Sequence, residues 1–129
     1  MAIVYIVDDD EDVRDSLRLL LEMRGYGVDA FCDGPELSRR GDLAACDCMI
    51  LDVNLPGESG LDILERLRLA SVRLPVIVTS GQGTPAIRTK AARLDAAAFL
   101  DKPIEGGRLL AMIELAVSPE GKERAEGVK

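Results

Sequence analysis

The stretch MILDVNLPGESGLDIL, Met49 to Leu64, changes character twice. An apolar run stops abruptly at Asp52, and a segment carrying Pro56 and Gly57 follows. Ile63, Leu64, Leu67 and Ala70 then recur at helical spacing. Strand, loop and helix are the natural reading. The same unit repeats outward in both directions. Further short apolar runs lie at Ile3–Val7, Val28–Phe31, Val76–Val78 and Ala97–Leu100, and with Cys48–Leu51 they make five expected strands. Because these runs do not alternate with polar residues, they predict strands covered on both faces, as in a parallel sheet flanked by helices.

The intervening segments carry helical stripes: Val13, Leu17, Leu20 and Leu21; Ile87, Ala91 and Leu94; Leu109, Met112, Ile113 and Ala116. A shorter helix is expected from Pro35, with Gly34 as its cap. Strand and helix alternate throughout, so right-handed crossovers predict an α/β doubly wound sheet of five parallel strands, order 2-1-3-4-5, with the flavodoxin-like (βα)5 topology. One domain is expected over residues 1–117. Residues 118–129, SPEGKERAEGVK, lack an apolar stripe and read as a polar tail or linker.

Composition narrows the chemistry. The chain has 129 residues, 47% of them hydrophobic, which suits one buried core. A net charge of −7 disfavours direct contact with nucleic acid. Cys32, Cys46 and Cys48 are odd in number and have no histidine to complete a metal site, so they are expected to be reduced core residues. The apolar run from Ala2 to Val7 lacks a basic leader and is too short to span a bilayer; no membrane association and a cytoplasmic location are expected.

In an open parallel sheet, ligands sit outside the carboxyl ends of the strands, where strand order reverses. Four segments would meet there: the first strand ends in Asp8, Asp9 and Asp10, the third in Asp52 and the fourth in Thr79 and Ser80, and Asp101, Lys102 and Pro103 follow the fifth. Two carboxylates about 4 Å apart repel by roughly 4 kcal/mol at an effective dielectric near 20. A cation must offset this, and oxygen donors without His or Cys favour a small hard ion such as Mg2+. Beside such an ion an ionised aspartate can attack phosphorus, with Lys102 stabilising the transferred group and Ser80 donating to one of its oxygens.

On the segments YIVDDDEDVRDSL, MILDVNLPGESGLDIL, VIVTSGQG and AAFLDKP, residues 2 to about 117 resemble the receiver family of bacterial response regulators. In VDDDEDVRDSL and the GQG after Ser80 the chain is most similar to the nitrogen-fixation type, whose members add a C-terminal DNA-binding domain. The resemblance implies that Asp52 is the phosphoacceptor and a metal ligand. Asp9 would ligate directly, Asp8 through a water, and Asn54 through its backbone carbonyl. Ser80 and Lys102 would complete the catalytic set, and Ser80 with Phe99 would form the switch. It also implies a cis bond between Lys102 and Pro103, and lifetime-tuning positions at Asn54 and Gln82. The run of aspartates leaves Asp9 and Asp10 as an alternative ligating pair.

The implied partners are a sensor histidine kinase or a phosphotransfer protein, with room for a homodimer through the fourth helix, fifth strand and fifth helix. Arg88, Lys90 and Arg93 are candidates for a partner face, or simply for a solvated one. Two positions depart from the family pattern: Asp95, where glycine is usual and positive φ is expected, and Ala98, where aspartate is common. A phosphatase with an aspartyl nucleophile would carry Asp-x-Asp after its first strand, and this chain has Asp52-Val53-Asn54 after its third. A flavin-phosphate cradle is disfavoured because three aspartates would repel the phosphate.

Overall fold

The computed structural model describes residues 1–118, and all of the tail expected over residues 118–129 except Ser118 lies outside them. The elements run β1 (Ile3–Val7), α1 (Glu11–Glu22), β2 (Gly27–Phe31), α2 (Gly34–Arg40), a single 3-10 turn at Leu43–Ala45, β3 (Cys48–Asp52), α3 (Gly60–Leu69), β4 (Val76–Ser80), α4 (Pro85–Arg93), β5 (Ala98–Asp101) and α5 (Gly106–Val117). All strand pairs are parallel, in the order β2-β1-β3-β4-β5. The expected fold is the observed one.

Alternation along each strand divides the core in two. Tyr5, Val7, Met49, Leu51, Val76 and Val78 face a cluster completed by Leu61, Leu64, Leu67 and Ala91 from α3 and α4. Val4, Ile6, Cys48, Ile50 and Ile77 face the other, completed by Leu17 and Leu21 of α1 and Leu109 and Ile113 of α5. Each fully buried side chain of this size stabilises by roughly 1.5–3 kcal/mol, so two layers of helices clamp the sheet. Burial on both faces holds for β3 and β4 and nearly for β1. It does not hold for β2 and β5, whose residues are mostly half-buried because these strands are the sheet edges.

Several boundaries correct the sequence reading. Asp33, not Gly34, caps α2, its side chain accepting from the Glu36 amide at 2.8 Å. β4 ends in Thr79 and Ser80, as expected, and both are buried and paired, Thr79 with Asp52 and Ser80 with Asp101. Ala70 closes α3 as an exposed cap, and Leu61 takes the buried place at its start. Cys46 and Cys48 are buried, whereas Cys32 is half-buried; all three are free thiols. Burial pushes the Cys46 and Cys48 thiols up to about 12, which leaves them inert near neutrality.

Asp95 adopts φ 57°, as expected, and Ser71 joins it at 62°. Arg68 fastens this corner. Its Nε donates to Leu94 O (2.8 Å), Nη1 to Val72 O (2.8 Å) and Leu74 O (2.9 Å), and Nη2 to Asp95 O (3.0 Å). One side chain thereby satisfies carbonyls that the end of α4 and the approach to β4 leave unpaired. Arg68→Ala should lower the unfolding free energy by roughly 2–3 kcal/mol in urea denaturation, since several part-buried carbonyls lose a charged donor together. A change below about 0.5 kcal/mol would show that water replaces it without cost.

Candidate phosphoacceptor site

Asp8 directly follows β1 and Asp52 ends the neighbouring β3, and the packing that buries these strands carries both carboxylates inward: they are 3% and 2% exposed. Each acid divides its oxygens between its own loop and a shared cation. Asp8 Oδ1 accepts from the Asp10 amide at 2.9 Å and Asp52 Oδ1 from the Asn54 amide at 3.2 Å. Lys102 Nζ donates to Asp8 Oδ2 at 2.8 Å and to Asp52 Oδ2 at 3.1 Å. Gly60 allows this loop to fold tightly, since a Cβ there would lie 2.0 Å from Asp52 O.

Of the three consecutive aspartates, Asp8 and Asp9 gather with Asp52: one carboxylate oxygen from each lies within 4.8 Å of the others. Asp9 is the exposed member of this trio. Asp10 is engaged elsewhere. It caps α1, its Oδ1 accepting from Asp12 N at 2.9 Å and Val13 N at 3.4 Å. The Asp9 and Asp10 alternative is therefore not the pair that the fold assembles.

Lys102 reaches the acids because its own amide donates to Ser80 O at 2.8 Å, which ties the start of its loop to the end of β4. The bond from Lys102 to Pro103 is cis, as expected. Ser80 is fully buried, and its Oγ accepts from the Gln82 amide at 3.0 Å. Asn54 and Gln82 are exposed, and Phe99 is half-buried on β5 with the Arg88 guanidinium 4.6 Å above its ring.

Burial raises the carboxyl of Asp52 above its ordinary range; Lys102 and the Asn54 amide pull it down without cancelling the effect, and Asp8 pushes it further up. Lys102 shows the reverse balance. Burial disfavours its charge, but Asp8 and Asp52 together outweigh that and raise it. Three carboxylates and one ammonium leave two negative charges in a partly buried crevice. Oxygen donors of that net charge, with Asp9 open to solvent, suit a small divalent cation that keeps some of its water.

Two residues that the sequence named have surroundings it did not foresee. Arg88 does more than offer a surface charge: it covers Phe99 and pairs with Asp101. Thr79 lies directly across from Asp52 in the sheet, 1% exposed, and its hydroxyl has no hydrogen-bond partner among the described residues. A polar residue inside an apolar strand was the available signal for Thr79.

Comparison with known proteins agrees with this geometry. The response regulator receiver domain model matches residues 4–114. The transcriptional regulatory protein FixJ of Bradyrhizobium diazoefficiens is 35% identical over 125 residues, covering 95% of this chain and 61% of FixJ. The chain spans about three-fifths or less of the length of the first curated relatives it matches. Among solved structures, a response regulator receiver protein from Pseudoalteromonas atlantica superposes with a TM-score of 0.83 at 26% identity, over 89% of this chain and 96% of that one. A CheY-like receiver domain protein from Methanospirillum hungatei has the same fold, with a TM-score of 0.86 at 24% identity over 95% and 98% of the two chains. Receiver domains generally depend on Mg2+, and this chain carries a cluster of acidic residues close enough together to hold a metal ion. With strand order, acid cluster and family match in agreement, the chain belongs to the response regulator receiver family and is the receiver domain of a two-component response regulator.

Proposed function

We propose that Asp52 accepts a phosphoryl group from the phosphohistidine of a sensor histidine kinase or phosphotransfer protein. The supporting observation is the lysine bridge: Lys102 Nζ touches Asp8 and Asp52 at once, with Asp9 beside them. An oxygen of Asp52 attacks phosphorus, the bond from phosphorus to the histidine nitrogen breaks, and that nitrogen keeps the electron pair. The product is an acyl phosphate on Asp52. Mg2+ held by Asp9, Asp52 and the Asn54 carbonyl, with Asp8 acting through a water, would screen the phosphoryl oxygens. Lys102 then exchanges its contact with Asp52 for one with the phosphoryl group. Ser80 donates to another phosphoryl oxygen. The chain's catalysis is confined to its own phosphorylation and hydrolysis.

The added dianion draws Ser80 and Phe99 inward and changes the surface formed by α4, β5 and α5. That surface is where a homodimer or an output domain would engage. Residues 1–117 form the switching unit, and residues 118–129 are a polar tail or a linker. In a longer regulator organised like FixJ, a separate domain would carry transcriptional output, and this domain would not itself touch nucleic acid. No helix among the described residues is long and apolar enough to cross a membrane, and the cytoplasm is the compartment proposed.

Incubation with acetyl phosphate and magnesium should add one acid-labile phosphoryl mass to the chain, detected by intact mass spectrometry. Asp52→Asn should add none, and Lys102→Ala should slow the gain by at least about tenfold. Wild-type protein that stays unmodified with and without magnesium would refute the reading. Without metal, pH offers a second check. Because the folded state holds the Asp52 proton more tightly than the unfolded chain, this group's contribution is full below about 3.9. It is lost as pH rises through the raised folded value. Asp52→Asn removes that loss, so the variant should resist urea better than wild type at pH 7, and the gap should close toward pH 4. Equal midpoints at pH 7 would contradict the electrostatic account.

A further inference from the structure

Ser80, fully buried, is held by a closed circuit of contacts. Its Oγ accepts from the Gln82 amide at 3.0 Å. The next residue, Gly83, gives its carbonyl to Arg88 Nε at 3.2 Å. The same guanidinium pairs with the carboxylate of Asp101 and lies 4.6 Å over the Phe99 ring. Asp101 precedes Lys102, whose amide returns to Ser80 O at 2.8 Å. Arg88 is the one member of this circuit that joins the loop after β4 to the end of β5 through its side chain.

We infer that Arg88 is a positioning residue for Ser80, a clasp that holds the loop after β4 and the ring of Phe99 in the arrangement of the unphosphorylated chain. The inference rests on the phosphoacceptor reading above. For Ser80 to donate to a phosphoryl group on Asp52, the turn that fixes its Oγ must shift, and Gly83 and Phe99 must shift with it. Arg88 opposes both movements. The clasp is suited to being opened, because Arg88 and Asp101 are 44% and 58% exposed and such pairs are weak in water. Gly83 supplies an independent handle. A Cβ there would lie 2.6 Å from Asp101 Oδ1, 2.9 Å from Phe99 Cε1 and 3.1 Å from an Arg88 nitrogen, so one methyl group would wedge all three apart.

The test is calorimetric titration of the 129-residue chain with beryllofluoride, a phosphoryl mimic, in the presence of magnesium. Arg88→Met should bind it about threefold to tenfold more tightly than wild type, the scale of one exposed ion pair plus one cation–π contact. Arg88→Lys, which keeps the charge without the fork, should fall between them. Gly83→Ala should also tighten binding, and the double variant should gain little beyond either single one, since both open the same clasp. Unchanged or weaker binding by Arg88→Met would overturn the clasp, as would full additivity in the double variant. Wild-type protein that fails to bind beryllofluoride at all would instead refute the phosphoacceptor site itself.

Discussion

The ammonium of Lys102 between the buried carboxylates of Asp8 and Asp52 is the contact on which the rest of the architecture converges. Four strands must keep register for it to form. β1 and β4 flank β3, and β5 pairs with β4 so that Ser80 stands beside Asp101 and Lys102 follows immediately. A slip of one residue in any of these pairs would turn an acid from the crevice toward the helices, because side chains alternate faces. The apolar clusters on the two sheet faces therefore do more than stabilise. They fix the register that places the charges.

Burial makes the site both costly and responsive. Carboxylates this deep are poorly solvated, which is why Asp52 binds its proton more tightly than a free aspartate. Lys102 relieves part of that cost, and two negative charges remain for a divalent ion to meet. Any group that later joins Asp52 enters a crevice in which the charged partners are already positioned. Small changes in charge there are felt strongly, because little water intervenes. The loop after β4 and the edge strand β5 are less deeply packed than the sheet centre. They are the parts best able to respond.

Much of this was legible in the sequence because the decisive signals are local. Apolar runs ending in acid or hydroxyl predicted five strands with chemistry at one end, and alternation with helical stripes predicted the strand order. What the sequence left open depends on which of several similar groups a fold selects. Asp8, Asp9 and Asp10 are equivalent as letters; only the start of α1 makes Asp10 a cap and leaves the other two to face Asp52. Asp33 and Gly34 compete for the same capping position, and the side-chain oxygen of Asp33 prevails. Arg68 was invisible because its partners are backbone carbonyls that a loop brings near it. Arg88 carried a visible charge, but its contact with Phe99 and Asp101 arises from the pairing of β4 with β5.

The central claim is that Asp8, Asp9 and Asp52 assemble a divalent-cation site against Lys102. Manganese, whose anomalous scattering marks its position, can stand in for magnesium in a crystal of this chain. The account predicts one strong anomalous peak within about 2.5 Å of carboxylate oxygens of Asp9 and Asp52, lost in Asp52→Asn. A manganese-soaked crystal with no peak between those residues, or with the ion bound on another face, would contradict it.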